Sequence, residues 1–312
     1  QLADSRLENL RRMRAAGLEL PFMLLRLPAP SEAEDVVQLA DISLNSELAV
    51  LQALSTAAEK QGRVHGVVLM VELGDLREGI PPAELPRVVQ QLLTMPGLRL
   101  RGLGANLGCF AGTIHSREHM QKLADLAGQV QGAHGLRLDM LSGINSGGLD
   151  LLASGDIPGA VNHARIGEAI LLGRESSHRR PWPGLLQDAF ELHAEVLELR
   201  RKPSVARGEL GEDAFGHLPA VEDRGEILRA LVNLGRQDID VEGISPVDSR
   251  VRVLGGSSDY LALDLSALEG EIRVGDELRF APIYSALLRA MTSDYVHKQL
   301  LDGAGTEPED AV

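Results

Sequence analysis

Short apolar runs alternate with longer stretches of helical periodicity through roughly the first 180 residues. The runs are Met23–Leu27, Ile42–Leu44, Val67–Val71, Leu103–Leu107, Met140–Gly143 and Ala164–Gly167, each short enough for a buried strand. Between them, Leu48, Leu51, Leu54 and Ala58 share one helical face, and Leu85, Val88, Val89, Leu92 and Leu93 share a second. Met120, Leu123, Ala127 and Val130 form a third, with Ser116 placed as its N-cap. This alternation predicts a parallel sheet, closed or open. With Leu2–Asp4 as a partial strand the count is seven, one short of an eight-stranded barrel.

After Gly184 the period changes to two. Phe190, Leu192, Ala194 and Val196 alternate with polar residues, and the alternation then slips by one to Leu197 and Leu199, which predicts a bulge. Ile227–Leu234, Tyr260–Leu265 and Glu277–Ile283 also read as strands, with turn residues between them. Tyr284–Val296 reads as a short helix, and Asp302–Val312 as a polar tail. Two domains are expected: an α/β domain over residues 1–184 and a smaller, mostly antiparallel β domain over 185–312.

Asp and Glu outnumber Lys and Arg by 45 to 31, giving a net charge of −14. Phosphate backbones are bound by clustered cations, and runs such as Arg200-Arg201-Lys202 stop at three, so no nucleic-acid partner is expected. No apolar stretch reaches the about 18 residues needed to span a bilayer, and Gln1–Arg6 lacks a signal-peptide pattern. Cys109 is the only cysteine, which excludes an internal disulfide framework and a thiolate metal cluster; no metal site is expected. The cytoplasm is the expected compartment. Cys109 itself reads as a buried packing residue, and His163 as a structural hydrogen-bonder.

In parallel α/β barrels, working residues stand at the carboxyl ends of the strands. Two features there suit an anion. Asn145-Ser146-Gly147-Gly148 offers a hydroxyl and closely approachable backbone N–H groups, although the same four residues also fit an ordinary turn. Arg165 lies in a strand-like run before Ile166-Gly167, where a cation faces either a ligand or a structural carboxylate.

These residues, in this order, resemble the alanine-racemase-like, fold-type III family of pyridoxal-phosphate enzymes, and within it the ornithine racemase type of amino-acid racemase. The segments carrying the resemblance include LADSRLENLRRM, ADISLNSE, VELGDLREGI, GANLGCFAG, SGINSGG, NHARIGEAILLGRE, LGRQDID, GGSSDYLALDL and IYSALLRAMTS, spanning nearly the whole chain. The resemblance implies a (β/α)8-type barrel plus a C-terminal β domain, pyridoxal 5'-phosphate as cofactor, and a homodimer with a shared site. It implies an amino-acid substrate, ornithine or another diamino acid. It also implies that Asn145, Ser146, Gly167 and Tyr284 hold the phosphate, Arg165 faces the pyridine nitrogen and Arg77 lies near the phenolic oxygen. Asn106 falls where alanine racemases stack a histidine on the ring, and Asp259 belongs to the substrate wall.

Two departures accompany the match. The family attaches its cofactor to a lysine on the first barrel strand, and Lys60, Lys122, Lys202 and Lys298 all read as surface residues. The expectation is that the first strand and its lysine precede Gln1. The family's second acid–base is a tyrosine, but Gly235-Arg236-Gln237-Asp238 puts Arg236 there, in the substrate wall, and leaves Asp238 or Tyr260 as the replacement. Beside the racemase stand two other readings: a relative that binds the cofactor or phosphate without turnover, and a pyridoxal-phosphate-dependent decarboxylase or lyase.

Overall fold

The computed structural model describes residues 1–216 and 222–301. The tail expected at Asp302–Val312 lies outside the described residues. The chain divides into two compact units, Gln1–Leu185 and Leu186–Val312.

In the first unit the apolar runs form seven strands: β1 (Leu2–Asp4), β2 (Phe22–Leu24), β3 (Ile42–Asn45), β4 (His65–Met70), β5 (Leu98–Gly104), β6 (Met140–Asn145) and β7 (His163–Arg165). They pair in chain order, and every pairing is parallel. Helices α1 (Leu7–Ala15), α2 (Ala33–Leu39), α3 (Leu48–Gln61), α4 (Leu85–Leu92), α5 (Arg117–His134), α6 (Leu149–Ala153) and α7 (Glu168–Leu172) follow the strands. The expected helical faces are buried at α3, α4 and α5 except for Leu48, which is half-buried, and Leu93, which is exposed just past the end of α4; the Ser116 hydroxyl accepts from the His119 N–H to cap α5. Met23, Ile42, Leu44, Val68, Met70 and Met140, from β2, β3, β4 and β6, meet in one inner cluster, so the sheet curls upon itself. A larger layer, including Val67, Leu69, Leu103 and Leu141, packs the other face against α3, α4 and α5. Gly102 in β5 is required by close approach, since a Cβ there would lie 1.6 Å from the Met140 carbonyl oxygen.

The run Leu103–Leu107 is only half strand. Ala105, Asn106 and Leu107 are as buried as their neighbours; the Ala105 N–H still donates to the Ser142 carbonyl of β6, but the Ala105 carbonyl, the Asn106 amide and the Leu107 carbonyl bond the side chains of Arg165, Asp75 and Asn145. The pattern reading did not single out α1 and α2, whose buried faces are short.

The second unit is a six-stranded sheet of β8 (Leu192–Pro203), β9 (Glu226–Val232), β10 (Ile244–Pro246), β11 (Arg252–Gly256), β12 (Leu261–Asp264) and β13 (Glu277–Pro282). Their spatial order is β10-β13-β8-β9-β12-β11, antiparallel throughout. The expected bulge is present, as the β8–β9 register shifts between Val196 and Glu198. The expected helix forms as α8 (Tyr284–Thr292). β10 and β11, three and five residues long, went unread in the sequence.

Candidate active site

Three connections at the carboxyl ends of the first unit's strands are tied together by hydrogen bonds. After β6, the Asn145 side chain accepts from the Gly147 N–H at 2.8 Å and donates to the Leu107 carbonyl at 2.7 Å. The buried Ser146 hydroxyl accepts from the N–H groups of Gly167 and Ala169, at 3.3 and 3.2 Å, which ties this loop to the turn after β7. Ser177 reaches in from residues 174–181 and donates to the Gly147 carbonyl at 2.9 Å. The two glycines sit in crowded positions: a Cβ at Gly147 would lie 2.7 Å from the Ser177 hydroxyl, and one at Gly148 3.0 Å from the His115 ring.

Arg165 ends β7, in register with Asn145. One terminal nitrogen of its guanidinium donates to the Ser142 carbonyl at 2.9 Å and to the Ser142 hydroxyl, and the other to the Ala105 carbonyl at 2.8 Å. Among the described residues no carboxylate pairs with it, and its Nε makes no hydrogen bond. Burial pulls its pKa down to about 10, partly opposed by Cys109 and Glu78. The structural salt bridge that the sequence left open is therefore not what holds this cation. His163 bonds the Ser142 hydroxyl through Nδ1 at 2.8 Å, which fixes the neighbouring acceptor.

The connections after β4 and β5 are joined by a buried carboxylate that sequence reasoning missed. Asp75, 1% exposed, accepts from the Asn106 amide and from four consecutive backbone N–H groups, those of Gly108, Cys109, Phe110 and Ala111. Arg77, two residues on, forms a bidentate pair with Glu78 that holds its pKa above the usual arginine value. Cys109 corrects an expectation: it is exposed, because the chain turns off the strand path at Gly108 (φ +79°) to wrap around Asp75. His115 was also missed. It is buried beside Gly148 with neither ring nitrogen hydrogen-bonded, and burial, then Arg165, lowers its pKa to about 4.

A second buried acid, Glu175, accepts from the backbone N–H groups of Ser177, His178 and Arg180. Burial pushes its pKa up, but those bonds and the Arg180 side chain outweigh it and hold it below the ordinary value. Asp150, Glu175 and His178 lie close enough to share an ion. Arg180 already supplies the cation there, by pairing with both acids.

In the second unit, Arg236, Asp238, Asp259 and Tyr260 gather on two facing turns. The backbone N–H groups of Arg236 and Gln237 donate to Ser257 and Ser258, and the Gln237 amide donates to Asp259 at 2.8 Å. The Arg236 guanidinium forks onto Glu242, donates to the Gly256 carbonyl and lies 5.0 Å over the Phe215 ring. Both Asp238 oxygens accept, from the Gly235 N–H and the Ser293 hydroxyl. Tyr260 is 46% exposed and its phenol makes no hydrogen bond among the described residues. Tyr284 opens α8, half exposed.

None of the chain's four lysines stands at the carboxyl end of the first sheet. Lys60 pairs with Glu34, Lys202 with Glu198, Lys298 bonds the Ser293 carbonyl, and Lys122 is exposed on α5.

The family profile described as alanine racemase, N-terminal domain, matches residues 1–175. The chain belongs to the alanine racemase family. Over 300 residues, 96% of this chain and 84% of the relative, it is 41% identical to ornithine racemase of Acetoanaerobium sticklandii. Over 297 residues, 95% of this chain and 83% of the relative, it is 40% identical to lysine racemase of Thermotoga maritima. Its fold matches that of alanine racemase from Bartonella henselae with covalently bound pyridoxal phosphate. The TM-score is 0.64 at 18% identity, covering 94% of this chain and 79% of that one. The fold class expected from the sequence holds for this alanine racemase family chain: a barrel-type parallel sheet followed by an antiparallel β domain.

Proposed function

We propose that this chain is a pyridoxal-phosphate-dependent racemase of a diamino acid in the ornithine–lysine class, removing the Cα proton and returning it. The observation that carries the reading is Arg165, a cation without a carboxylate, its Nε unused, beside the Asn145–Gly148 loop. Identity of about 40% to an ornithine and a lysine racemase supports the substrate class.

The first unit's residues fit the cofactor at two ends. Asn145, Ser146 and Gly167 would hold its phosphate in a loop where a Cβ at Gly147 or Gly148 would intrude, and Arg165 would face the ring nitrogen. When bound, pyridoxal phosphate would draw electron density from Cα and loosen its proton. Arg165 remains protonated at neutral pH even with its pKa near 10, so it donates a hydrogen bond without giving up a proton. An arginine in that position limits the withdrawal of charge and favours simple return of the proton to Cα over competing reactions. Asn106 and Arg77 would flank the ring.

Racemisation needs proton transfer on both faces of Cα. Tyr260 suits one face because its phenol is uncommitted, whereas both oxygens of Asp238 are engaged in holding the turn. None of the four lysines is assigned to the other face. In the proposed homodimer, Asp259 and Arg236 of one subunit wall the other's substrate, Arg236 acting through its pair with Glu242, and Tyr284 reaches the phosphate. The cytoplasm suits such an enzyme, and no described helix is long and apolar enough to cross a membrane.

The test is chiral chromatography of L-ornithine, L-lysine and L-alanine after incubation with the protein expressed from its gene and supplied with cofactor. The expected result is a kcat/KM for ornithine or lysine about 100-fold above that for alanine. A preference for alanine would overturn the substrate class, and no inverted product from any of the three would overturn the activity.

A further inference from the structure

Asp75 is an expensive way to hold a loop. A carboxylate this deeply buried loses most of its hydration, and no cation pairs with it among the described residues. Five N–H donors replace the water: the Asn106 amide at 2.9 Å, and the backbone N–H groups of Gly108 at 3.0 Å, Ala111 and Phe110 at 3.2 Å, and Cys109 at 3.3 Å. A loop needing only to be closed could bury an apolar tip instead. Here the tip residue Phe110 is 73% exposed, so the carboxylate stands in for a local core.

What the carboxylate fixes is directional. Residues 105–107 each bind a different part of the cradle: the Ala105 carbonyl accepts from Arg165, the Asn106 amide donates to Asp75, and the Leu107 carbonyl accepts from Asn145. The other end of the Asn106 amide is set by the Cys109 thiol, which donates to its oxygen at 3.3 Å. Toward Arg77, the chain passes through Leu76 at φ +56°, a left-handed conformation that costs a leucine energy and persists only where its neighbours are fixed.

We propose that Asp75 is a positioning residue, one that orders the loop after β5 and thereby sets Asn106 and Arg77 toward the cofactor cradle. The inference rests on the racemase reading for what those two side chains face; the ordering of the loop does not.

Asp75→Asn tests it, because an amide nitrogen turned toward N–H donors removes acceptors while keeping the volume. In the full-length protein, amide exchange of residues 108–111 is expected to accelerate about ten-fold or more, together with a fall in kcat of about ten-fold at a nearly unchanged KM. Asn106→Ala is expected to lower kcat similarly without exposing those amides. The double variant should fall short of the product of the two single losses, since Asp75 acts partly through Asn106 and partly through Arg77. Asp75→Glu keeps the charge and should recover part of the protection, which keeps the test usable if the asparagine variant folds poorly. Unchanged exchange in Asp75→Asn would overturn the proposal outright. Faster exchange with wild-type kcat and cofactor affinity would overturn the positioning role and leave a loop clamp. If the wild-type protein neither binds cofactor nor inverts an amino acid, the racemase reading has failed, and the positioning role falls with it whatever the exchange shows.

Discussion

The loops of the candidate site in the first unit and the turns at 235–238 and 256–260 in the second are held by different means. In the first, Asp75 and Glu175 sink single carboxylates below the surface and gather backbone N–H groups around them, and Arg165 is enclosed among carbonyl and hydroxyl oxygens. In the second, the turns at 235–238 and 256–260 are tied by backbone bonds, and the Arg236–Glu242 pair beside them reaches solvent through Glu242, while the buried Asp264 elsewhere in the unit is paired with Arg224. Buried charges are costly to leave unpaired and therefore rigid, while exposed ones are screened and replaceable. The contrast separates a preorganised candidate site in the first unit from more adaptable turns in the second, and each variant below acts on one side of it.

The largest effect is expected at Arg165. Arg165→Ala removes the donor proposed to face the ring, together with the side-chain hydrogen bonds to the Ala105 and Ser142 carbonyls, of which the Ser142 carbonyl keeps the Ala105 N–H. Racemisation should fall by about three orders of magnitude, with a loss of about 2–4 kcal/mol in denaturant unfolding. Acid comes next. His65 and His115 belong to the first unit, and burial lowers both to about 4. An unfolded imidazole takes its proton near 6.5, so the stability these residues contribute is whole above that pH and is lost as pH falls toward 4. Each contributes on the order of 3 kcal/mol at most. In the second unit, Arg236 holds Glu242 down to about 2, so that pair persists through the same window. Amide exchange at pH 7 and pH 5 should show the first unit loosening first, and equal loosening would remove the contrast.

Gly148→Ala is a smaller intrusion, pressing a methyl against the His115 ring. It should cost about 1–2 kcal/mol and weaken cofactor binding, measured by fluorescence titration. Glu242→Gln, at a pair whose carboxylate is exposed, should change the melting free energy by less than about 1 kcal/mol, and a larger loss would place these turns among the rigid parts.

The strands and long helices were legible because burial and periodicity coincide there. They part company at Asn106 and Leu107, which are buried like a strand but bonded to the side chains of Asp75 and Asn145, and at Cys109, which the apolar context made look enclosed. The bulge at Val196–Glu198 was readable as a slip in alternation. The cradle was readable from Asn145, Ser146 and Arg165, whose chemistry is unusual at strand ends. Asp75 and His115 were not, since an acid beside a glycine and a histidine in a polar loop look the same whether solvated or enclosed. Only the donors that converge on Asp75, and the packing of His115 under Gly148, tell them apart.

The most direct measurement is incubation of the full-length protein with cofactor and L-ornithine in heavy water, followed by chiral separation and mass analysis. The account requires both enantiomers to accumulate toward equal amounts, the inverted one carrying a single deuterium at Cα and no loss of carbon. Release of carbon dioxide with a diamine product, or recovery of L-ornithine without deuterium, would contradict it.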